Sequence, residues 1–248
     1  MKKDHSKLRI LLFQIRNEPS IRREEHESFV RYSGLTHEQI DVFNVFDRPQ
    51  FSPAVLQGYD ALFIGGTSEA SVLDPQTYPF VADGQALINF CIDESIPVFA
   101  SCFGFQMAVQ ALGGEVIKDH ADFEMGTIAI DLTEAASLDP LFRDVPNGFL
   151  AVSVHQERTL TVPPGCQLLA RTNECAHAFR VTGKPFWAFQ FHPEVDRSTL
   201  VTRLTFFRDR YTDDDDHLSK VISSAKETPE SNQLVSKFIQ LLLAPDDT

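Results

Sequence analysis

The sequence has little positive charge, few cysteines and no long apolar segment. Its 248 residues contain 22 Lys and Arg against 35 Asp and Glu, which gives a formal net charge of −13. This balance argues against a protein that follows nucleic-acid phosphates with a basic face, and against docking on anionic lipid. No run approaches the roughly 20 apolar residues that span a bilayer. We therefore expect neither nucleic acid nor a membrane as a partner.

Cysteine is scarce, and its spacing indicates no disulfide framework. None of the four cysteines belongs to a C-x-x-C pair. The apolar stretch 8–15 is interrupted by Arg9 and Gln14 and lacks a small-residue cleavage site, so it predicts a first core strand rather than a signal peptide. Together these features predict a reduced, cytoplasmic protein.

Signatures of cofactor and metal binding are also missing. No Walker or dinucleotide fingerprint occurs, and Gly65-Gly66 is too short for a phosphate loop. His120 and His177 have no carboxylate or cysteine partner at metal-ligand spacing. We expect no cofactor, no ATP site and no metal site.

Short apolar runs alternate with helical patterns in the first half of the chain. This alternation predicts an α/β domain with a largely parallel sheet. The predicted strands are 8–15, 42–46, 59–64 and 97–100, and the predicted helices are 24–33, 80–92 and 103–112.

The second half has strands without long helices between them, so part of the sheet is expected to be antiparallel or mixed. A helical pattern returns at 197–211. The predicted strands are 127–132, 150–154, 167–170, 176–181 and 186–191.

The last part of the chain is acidic and helical. The acidic run 213–216 precedes a predicted helix at 217–226, and acidic residues are favoured at a helix N-terminus. An amphipathic helix is predicted at 233–243. We expect a main domain over 1–211 and a helical extension over 212–248 packed on the same domain; a partner-binding final helix is the alternative.

Cys102 lies between an apolar strand and a helical segment, in the order of a nucleophile elbow. Free N–H groups and the dipole at the start of the helix would stabilise a thiolate. The N–H of Phe103 would face the same site and could hold an oxyanion. A buried structural cysteine is the alternative for this segment alone.

A second segment supplies partners for such a nucleophile. His192 and Glu194 follow an apolar strand, and side chains two residues apart on extended backbone point to the same side. Pro193 favours that extended backbone. A nucleophile needs a base, and the base needs an orienting acid. We predict a Cys102, His192 and Glu194 triad; an unrelated surface His and Glu pair is the alternative.

These segments together resemble the triad-type class I glutamine amidotransferases. The resemblance rests on Gly65-Gly66, on Cys-Phe-Gly-Phe-Gln at 102–106 and on Phe-Gln-Phe-His-Pro-Glu at 189–194, and it covers about residues 8–210. Glu-Met-Gly at 124–126 and Ser-Val-His at 153–155 are most similar to stand-alone, GMP-synthase-like members. The resemblance implies a flavodoxin-like fold and a catalytic domain at 1–211.

The resemblance also implies a reaction. Cys102 would attack the side-chain amide of glutamine and form a γ-glutamyl thioester, and His192 would deliver a proton to the leaving ammonia. Glu194 would orient and stabilise His192.

Roles for further residues follow from the same resemblance. Gly66 and Phe103 would donate backbone N–H groups to the oxyanion. Gly65, Gln106 and His155 would contribute to binding glutamine. From the residues alone, a Gln on a first helical turn, such as Gln106, is usually solvated or a cap partner, and a lone His near a strand end, such as His155, is more often structural.

Two positions depart from the family pattern. Ala100 stands where the family usually has Gly, two places before the nucleophile, and its methyl group could narrow the elbow or be accommodated by its neighbours. Thr67 follows Gly66 where the family often has Pro. These departures bear on the flexibility of the oxyanion loop and on the affinity for glutamine.

Three functions are consistent with the sequence. The first is a cofactor-free glutaminase that releases glutamate and ammonia and whose possible partner is a separate synthase subunit. The second is a γ-glutamyl peptidase or hydrolase acting on small γ-glutamyl compounds, in which Phe103 and Phe105 would shape a different pocket. The third is a non-catalytic regulatory or scaffold protein.

Overall fold

The computed structural model describes residues 4–118, 124–208 and 215–244. Its strands, in chain order, are β1 (Ile10–Gln14), β2 (Ile40–Asn44), β3 (Ala61–Ile64), β4 (Val98–Ser101), β5 (Ile117–Lys118), β6 (Glu124–Leu132), β7 (Phe149–His155), β8 (Glu157–Arg158), β9 (Cys166–Arg171), β10 (Ala176–Val181) and β11 (Phe186–Phe189).

The helices flank these strands. In chain order they are α1 (Pro19–Ser33), α2 (Phe80–Asp93), α3 (Phe103–Ala111), α4 (Arg197–Phe206), α5 (Asp215–Ser224) and α6 (Pro229–Leu243). Short 3₁₀ helices cover His5–Lys7, His37–Gln39, Pro53–Leu56 and Glu134–Leu138. None of the helices in the described ranges combines the length and apolar character needed to cross a bilayer.

One mixed sheet of nine strands forms the centre, in the order β2-β1-β3-β4-β11-β10-β9-β6-β7. In this order the first five strands, from β2 to β11, are parallel to one another. The last four, from β10 to β7, are joined to β11 and to one another by antiparallel pairing. Strands β5 and β8 form a separate antiparallel pair. The predicted α/β fold, parallel in its first half and mixed in its second, is confirmed.

The parallel part of the sheet is buried on both faces, which explains its continuous apolar runs. In β1, Leu11 and Phe13 contribute to the core beside α2 and α3. Ile10 and Leu12 contribute to the opposite core, beside α1 and α6. The period of two along the strand therefore divides its side chains between the two layers.

The final helix α6 is part of this second core. It begins at Pro229. Proline is tolerated in the first helical turn because the backbone N–H that it lacks would have no acceptor within the helix. Leu234 and Phe238 are fully buried against the sheet. The predicted helix 197–211 is observed to Phe206, and residues 213 and 214 of the acidic run lie outside the described residues.

Candidate active site

The structure places Cys102 at the bend between β4 and α3. Its backbone has φ 48° and ψ −96°, a conformation that non-glycine residues adopt rarely and mostly at functional sites. The Cys102 N–H donates to the carbonyl of Phe189 at 2.7 Å. This bond joins the bend to β11, the strand that leads towards His192.

Gly104 makes room for the tight turn after Cys102. A Cβ atom at Gly104 would lie 2.8 Å from Ile64 Cγ2 and 3.1 Å from the Ala100 methyl. The methyl of Ala100 therefore fits because Gly104, the second residue of α3, has no side chain.

His192 and Glu194 stand on irregular backbone after β11. The sequence predicted a strand to residue 191, but β11 ends at Phe189. Beyond it the backbone turns to a different partner, since the His192 N–H donates to the Val152 carbonyl at 2.8 Å. His192 Nδ1 and Glu194 Oε1 are 2.7 Å apart and both side chains are buried. Nε2 is then the ring nitrogen available to Cys102.

The charges of this group support one another. Burial alone would lower the pKa of His192, but the Cys102 and Glu194 side chains outweigh it and raise that pKa to about 9. Burial would raise the pKa of Glu194, but His192 and Arg203 outweigh it and lower that pKa below its ordinary value. The arrangement favours the imidazolium form of His192 beside an ionised Glu194.

The Gly65-Gly66 loop approaches the same group from β3. A Cβ atom at Gly66 would lie 2.6 Å from His192 Cε1 and 3.2 Å from Cys102 Cβ. A Cβ at Gly65 would lie 2.7 Å from Glu25 Oε1. Gly66 thus packs closely against the side chains of His192 and Cys102, whereas Gly65 packs closely against that of Glu25.

A cavity of about 260 Å³ opens beside Cys102. Four of the predicted site residues line it: Cys102, Phe103, Gln106 and His155. The other lining residues are Thr67, Ser68, Glu69, Ala70, Ser71, Tyr78, Lys118, Val154, Gln156 and Glu157. Gly65 is not among them. Phe105, considered above as a pocket residue, instead lies in the core with its ring 5.2 Å from that of Phe179.

Gln106 is held in place rather than solvated. Its Nε2 donates to the Glu157 carbonyl at 2.8 Å, and the Gln190 Oε1 atom is 3.5 Å away. Gln190 is fully buried, and its Nε2 is 4.0 Å from Cys102 Sγ. Gln190 was not predicted as a site residue; the signal was a polar residue between two phenylalanines at the end of an apolar strand.

A network of buried charges behind the loop was not predicted either. Arg16 Nε and Glu25 Oε1 form a 2.9 Å ion pair in which both side chains are almost completely buried. Arg203 Nε lies 2.8 Å from Glu24 Oε2. These pairs join the segment after β1 to α1, and α1 to α4, and no local sequence pattern indicates them.

His177 does have a carboxylate and a cysteine nearby, contrary to the sequence-based expectation. Its Nε2 is 2.7 Å from Glu124 Oε2, and Cys175 Sγ is 3.5 Å from the same oxygen. His155 Nε2 is 3.1 Å from that oxygen as well. Cys175 is only two positions from His177 in the sequence, whereas Glu124 and His155 are brought to it by the pairing and order of the strands. His120 lies outside the described residues.

Comparison with known sequences points to one family. The sequence model of the family "Glutamine amidotransferase class-I" matches residues 27–208. A glutamine-hydrolyzing GMP synthase subunit from Methanocaldococcus jannaschii is 29% identical over 119 residues, covering 47% of this chain and 61% of the relative. The glutamine-hydrolyzing GMP synthase of Thermotoga petrophila is 32% identical over 108 residues, covering 44% of this chain and 20% of the relative. The alignments thus span about three fifths and one fifth of these relatives.

Solved structures share the fold over nearly the whole chain. A glutamine amidotransferase from Thermotoga maritima superimposes with a TM-score of 0.76 at 16% identity, covering 96% of this chain and 99% of that one. A glutamine amidotransferase from Methylobacillus flagellatus gives a TM-score of 0.68 at 16% identity, covering 98% and 97%. At this identity the likeness establishes the architecture, and chemistry has to be argued from the site.

Proposed function

Because the chain belongs to the class I glutamine amidotransferase family, we propose that it hydrolyses the side-chain amide of glutamine to glutamate and ammonia. The observation that carries the proposal is the convergence of Cys102 with the hydrogen-bonded His192 and Glu194 beside a cavity. A nucleophile, a base and an orienting acid are the parts that acyl transfer requires.

In the first half of the reaction, the Cys102 thiolate attacks the amide carbon and a C–S bond forms. The carbonyl oxygen becomes an oxyanion, for which the N–H groups of Gly66 and Phe103 are the proposed donors. Phe103 is the first residue of α3, where N–H groups have no acceptor within the helix. His192 gives its proton to the amide nitrogen, the C–N bond breaks and ammonia leaves.

In the second half, water attacks the γ-glutamyl thioester. His192, now neutral, removes a proton from the water as the C–O bond forms. The C–S bond then breaks, glutamate leaves and the Cys102 thiolate is restored beside the imidazolium. Glu194 stabilises the protonated ring at the start and end of each cycle.

The cavity offers groups for the remainder of glutamine. Lys118 carries the charge that an α-carboxylate needs, and Glu69 and Glu157 carry the charge that an α-ammonium needs. Gln106, fixed by the Glu157 carbonyl, defines one wall. The Methanocaldococcus relative is named as one subunit of a synthase, which supports the further proposal that the ammonia serves a separate synthase subunit.

The test is ammonia release from glutamine, measured with the wild-type chain and with Cys102→Ala. Cys166→Ala is the matched control, since Cys166 is half-buried at the start of β9 and does not line the cavity. We expect activity in the wild type and the control, and at least a 10³-fold loss, in order of magnitude, in Cys102→Ala.

A glutamine-mimicking electrophile provides a second measurement that does not depend on turnover. It should modify Cys102 selectively over the buried Cys91. Equal, slow labelling of the two cysteines together with no ammonia release would contradict the proposal and favour a non-catalytic role. A strong preference for γ-glutamyl peptides over glutamine would instead reassign the substrate.

A further inference from the structure

Four side chains of metal-ligating types meet at the antiparallel side of the sheet, next to the cavity. They are Glu124, His155, Cys175 and His177, and one ligand atom from each lies within 4.8 Å of all the others. Three distances to Glu124 Oε2 are short: 2.7 Å from His177 Nε2, 3.1 Å from His155 Nε2 and 3.5 Å from Cys175 Sγ. The cluster is separate from Cys102, His192 and Glu194.

The sheet itself fixes the positions of these groups. Glu124 is the first residue of β6 and pairs directly with His155, the last residue of β7. His177 lies in β10, and Cys175 immediately precedes that strand. The Ala176 N–H, between them, donates to the Thr159 carbonyl at 3.0 Å. The donors are thus held by strand backbone, which suits a preorganised site.

The environment is closed and almost dry. The side chains of His155 and His177 are 1% and 0% exposed, and that of Glu124 is 12% exposed. Both imidazoles direct Nε2 at the same carboxylate oxygen. Each Nε2 lies at hydrogen-bond distance from a carboxylate oxygen, which can only accept, so without a metal the Nε2–H groups are the donors. Neither Nδ1 atom has a hydrogen-bond partner within the described ranges. Metal binding therefore moves each ring proton from Nε2 to Nδ1 and leaves the Nε2 lone pair for the metal.

The donor set matches zinc in chemistry and size. Two imidazole nitrogens, one thiolate and one carboxylate are ligands that Zn²⁺ prefers in tetrahedral sites. Ligand bonds of about 2.0–2.3 Å in a tetrahedron place the donor atoms roughly 3.3–3.8 Å apart. The observed separations require side-chain adjustments of only about 1 Å to reach that geometry.

We propose that Glu124, His155, Cys175 and His177 bind one Zn²⁺ ion in a four-ligand site that ties together β6, β7 and β10. With all four positions filled by protein, the ion has no place for a reacting water, so its role is structural. Binding replaces the hydrogen bonds to Glu124 with metal bonds and releases the thiol proton of Cys175 to solvent. Since His155 also lines the cavity, the ion would hold that wall in place.

Cobalt binding tests this proposal independently of glutamine hydrolysis. The catalytic pair could itself bind a soft metal through Cys102, so the experiment uses Cys102→Ser protein, reduced and freed of metal by a chelator. Titration with Co²⁺ should give one equivalent of binding, the intense visible bands of tetrahedral cobalt and a thiolate-to-cobalt charge-transfer band. One equivalent of Zn²⁺ should remove all of these bands.

Variants identify the ligands. Adding Cys175→Ser should abolish the charge-transfer band, whereas adding Cys166→Ser should leave it unchanged. Glu124→Gln keeps a side chain that can hydrogen-bond to both histidines but removes the anionic ligand, and it should weaken cobalt binding at least tenfold. Circular dichroism and thermal melting of each metal-free variant establish that it is folded.

Two results would overturn the proposal. One is the absence of tetrahedral cobalt bands in the folded Cys102→Ser protein. The other is a spectrum that Cys175→Ser and Glu124→Gln leave unaltered. Either would show that the four groups form only a hydrogen-bonded cluster. Elemental analysis of wild-type protein, with about one zinc per chain expected, provides the corresponding measurement without any substitution.

Discussion

Gly66→Ala tests how closely the Gly65-Gly66 loop is fitted to Cys102 and His192, the proposed catalytic side chains. Gly66 is not in a left-handed conformation, so alanine can adopt its backbone angles. The new methyl would lie 2.6 Å from His192 Cε1 and 3.2 Å from Cys102 Cβ. The effect of the substitution therefore comes from contact with these side chains and not from backbone strain.

The size of the effect follows from the distance. Carbon atoms in favourable contact are about 3.5–4.0 Å apart, so the loop and the His192 ring must separate by about 1 Å. A misplacement of about 1 Å at a reacting centre costs on the order of 10²-fold in rate. We expect kcat for glutamine hydrolysis to fall about 100-fold, equivalent to about 2.7 kcal/mol in activation free energy.

Steady-state ammonia release measures this effect, and Gly165→Ala is its control. Gly165 has φ +76° and open space around its Cα, so alanine there should cost about 1–2 kcal/mol of stability through left-handed strain and leave kcat unchanged. Gly66→Ala should show the reverse pattern, with turnover lost in a folded protein. A kcat within threefold of the wild type for Gly66→Ala would refute the proposed packing of the loop against His192.

Three other predictions concern charge and packing. By NMR titration, the His192 ring should have a pKa of about 9, and Cys102→Ala should lower that pKa because the Cys102 side chain is the largest contribution that raises it. Folding raises the His192 pKa, so protonation of this ring stabilises the folded protein. This contribution to the free energy of unfolding should be complete below about pH 6.5 and be lost as pH rises through about 9. Phe238→Ala should lower the free energy of unfolding by about 3–5 kcal/mol, measured with urea, because the ring packs between α6 and the sheet; a loss under 1 kcal/mol would contradict that packing. Arg16→Met should cost about 3–5 kcal/mol by leaving Glu25 buried without its cation, and adding Glu25→Leu should recover much of that loss; no recovery would argue against the ion pair.

Local patterns explain why the elbow and its partners could be predicted. The bend at Cys102 is marked by an apolar strand directly followed by a helical segment, and His192 and Glu194 are two residues apart. Each feature depends on fewer than ten consecutive residues. The alternation of strands and helices is similarly local, and it was enough to predict the parallel half of the sheet.

Contacts between distant segments could not be predicted in the same way. Glu124 and His177 are 53 positions apart, and they meet only because of the order and register of the antiparallel strands. The register of these strands depends on how they pair and on the geometry of their turns, neither of which can be read from short sequence segments. Of the four groups, only Cys175 and His177 are close in sequence, so local spacing could not indicate the other two.

The final helix illustrates the same limit in packing. Its apolar face was visible in the sequence, and burial of that face against the chain's own domain was expected. The residues that this face contacts could not be predicted. The centroid of the Phe238 ring lies 5.9 Å from that of Phe63, 5.4 Å from that of Phe99 and 6.0 Å from that of Trp187. Phe63 and Phe99 lie in β3 and β4, the strands that precede the Gly65-Gly66 loop and Cys102, so the final helix supports the candidate site from the opposite face of the sheet.

The charge state of Glu194 shows why the motif depends on the surrounding fold. Glu194 is fully buried, and its Oε2 has no hydrogen-bond partner within the described residues. A carboxylate so placed would take up a proton unless cations compensate for its lost hydration. His192 supplies one cation, and buried Arg203 supplies a second that persists when His192 gives up its proton. Glu24 in turn balances Arg203 from α1. Glu194 can therefore stay ionised through both halves of the proposed reaction because α1 and α4, outside the motif, carry the balancing charges.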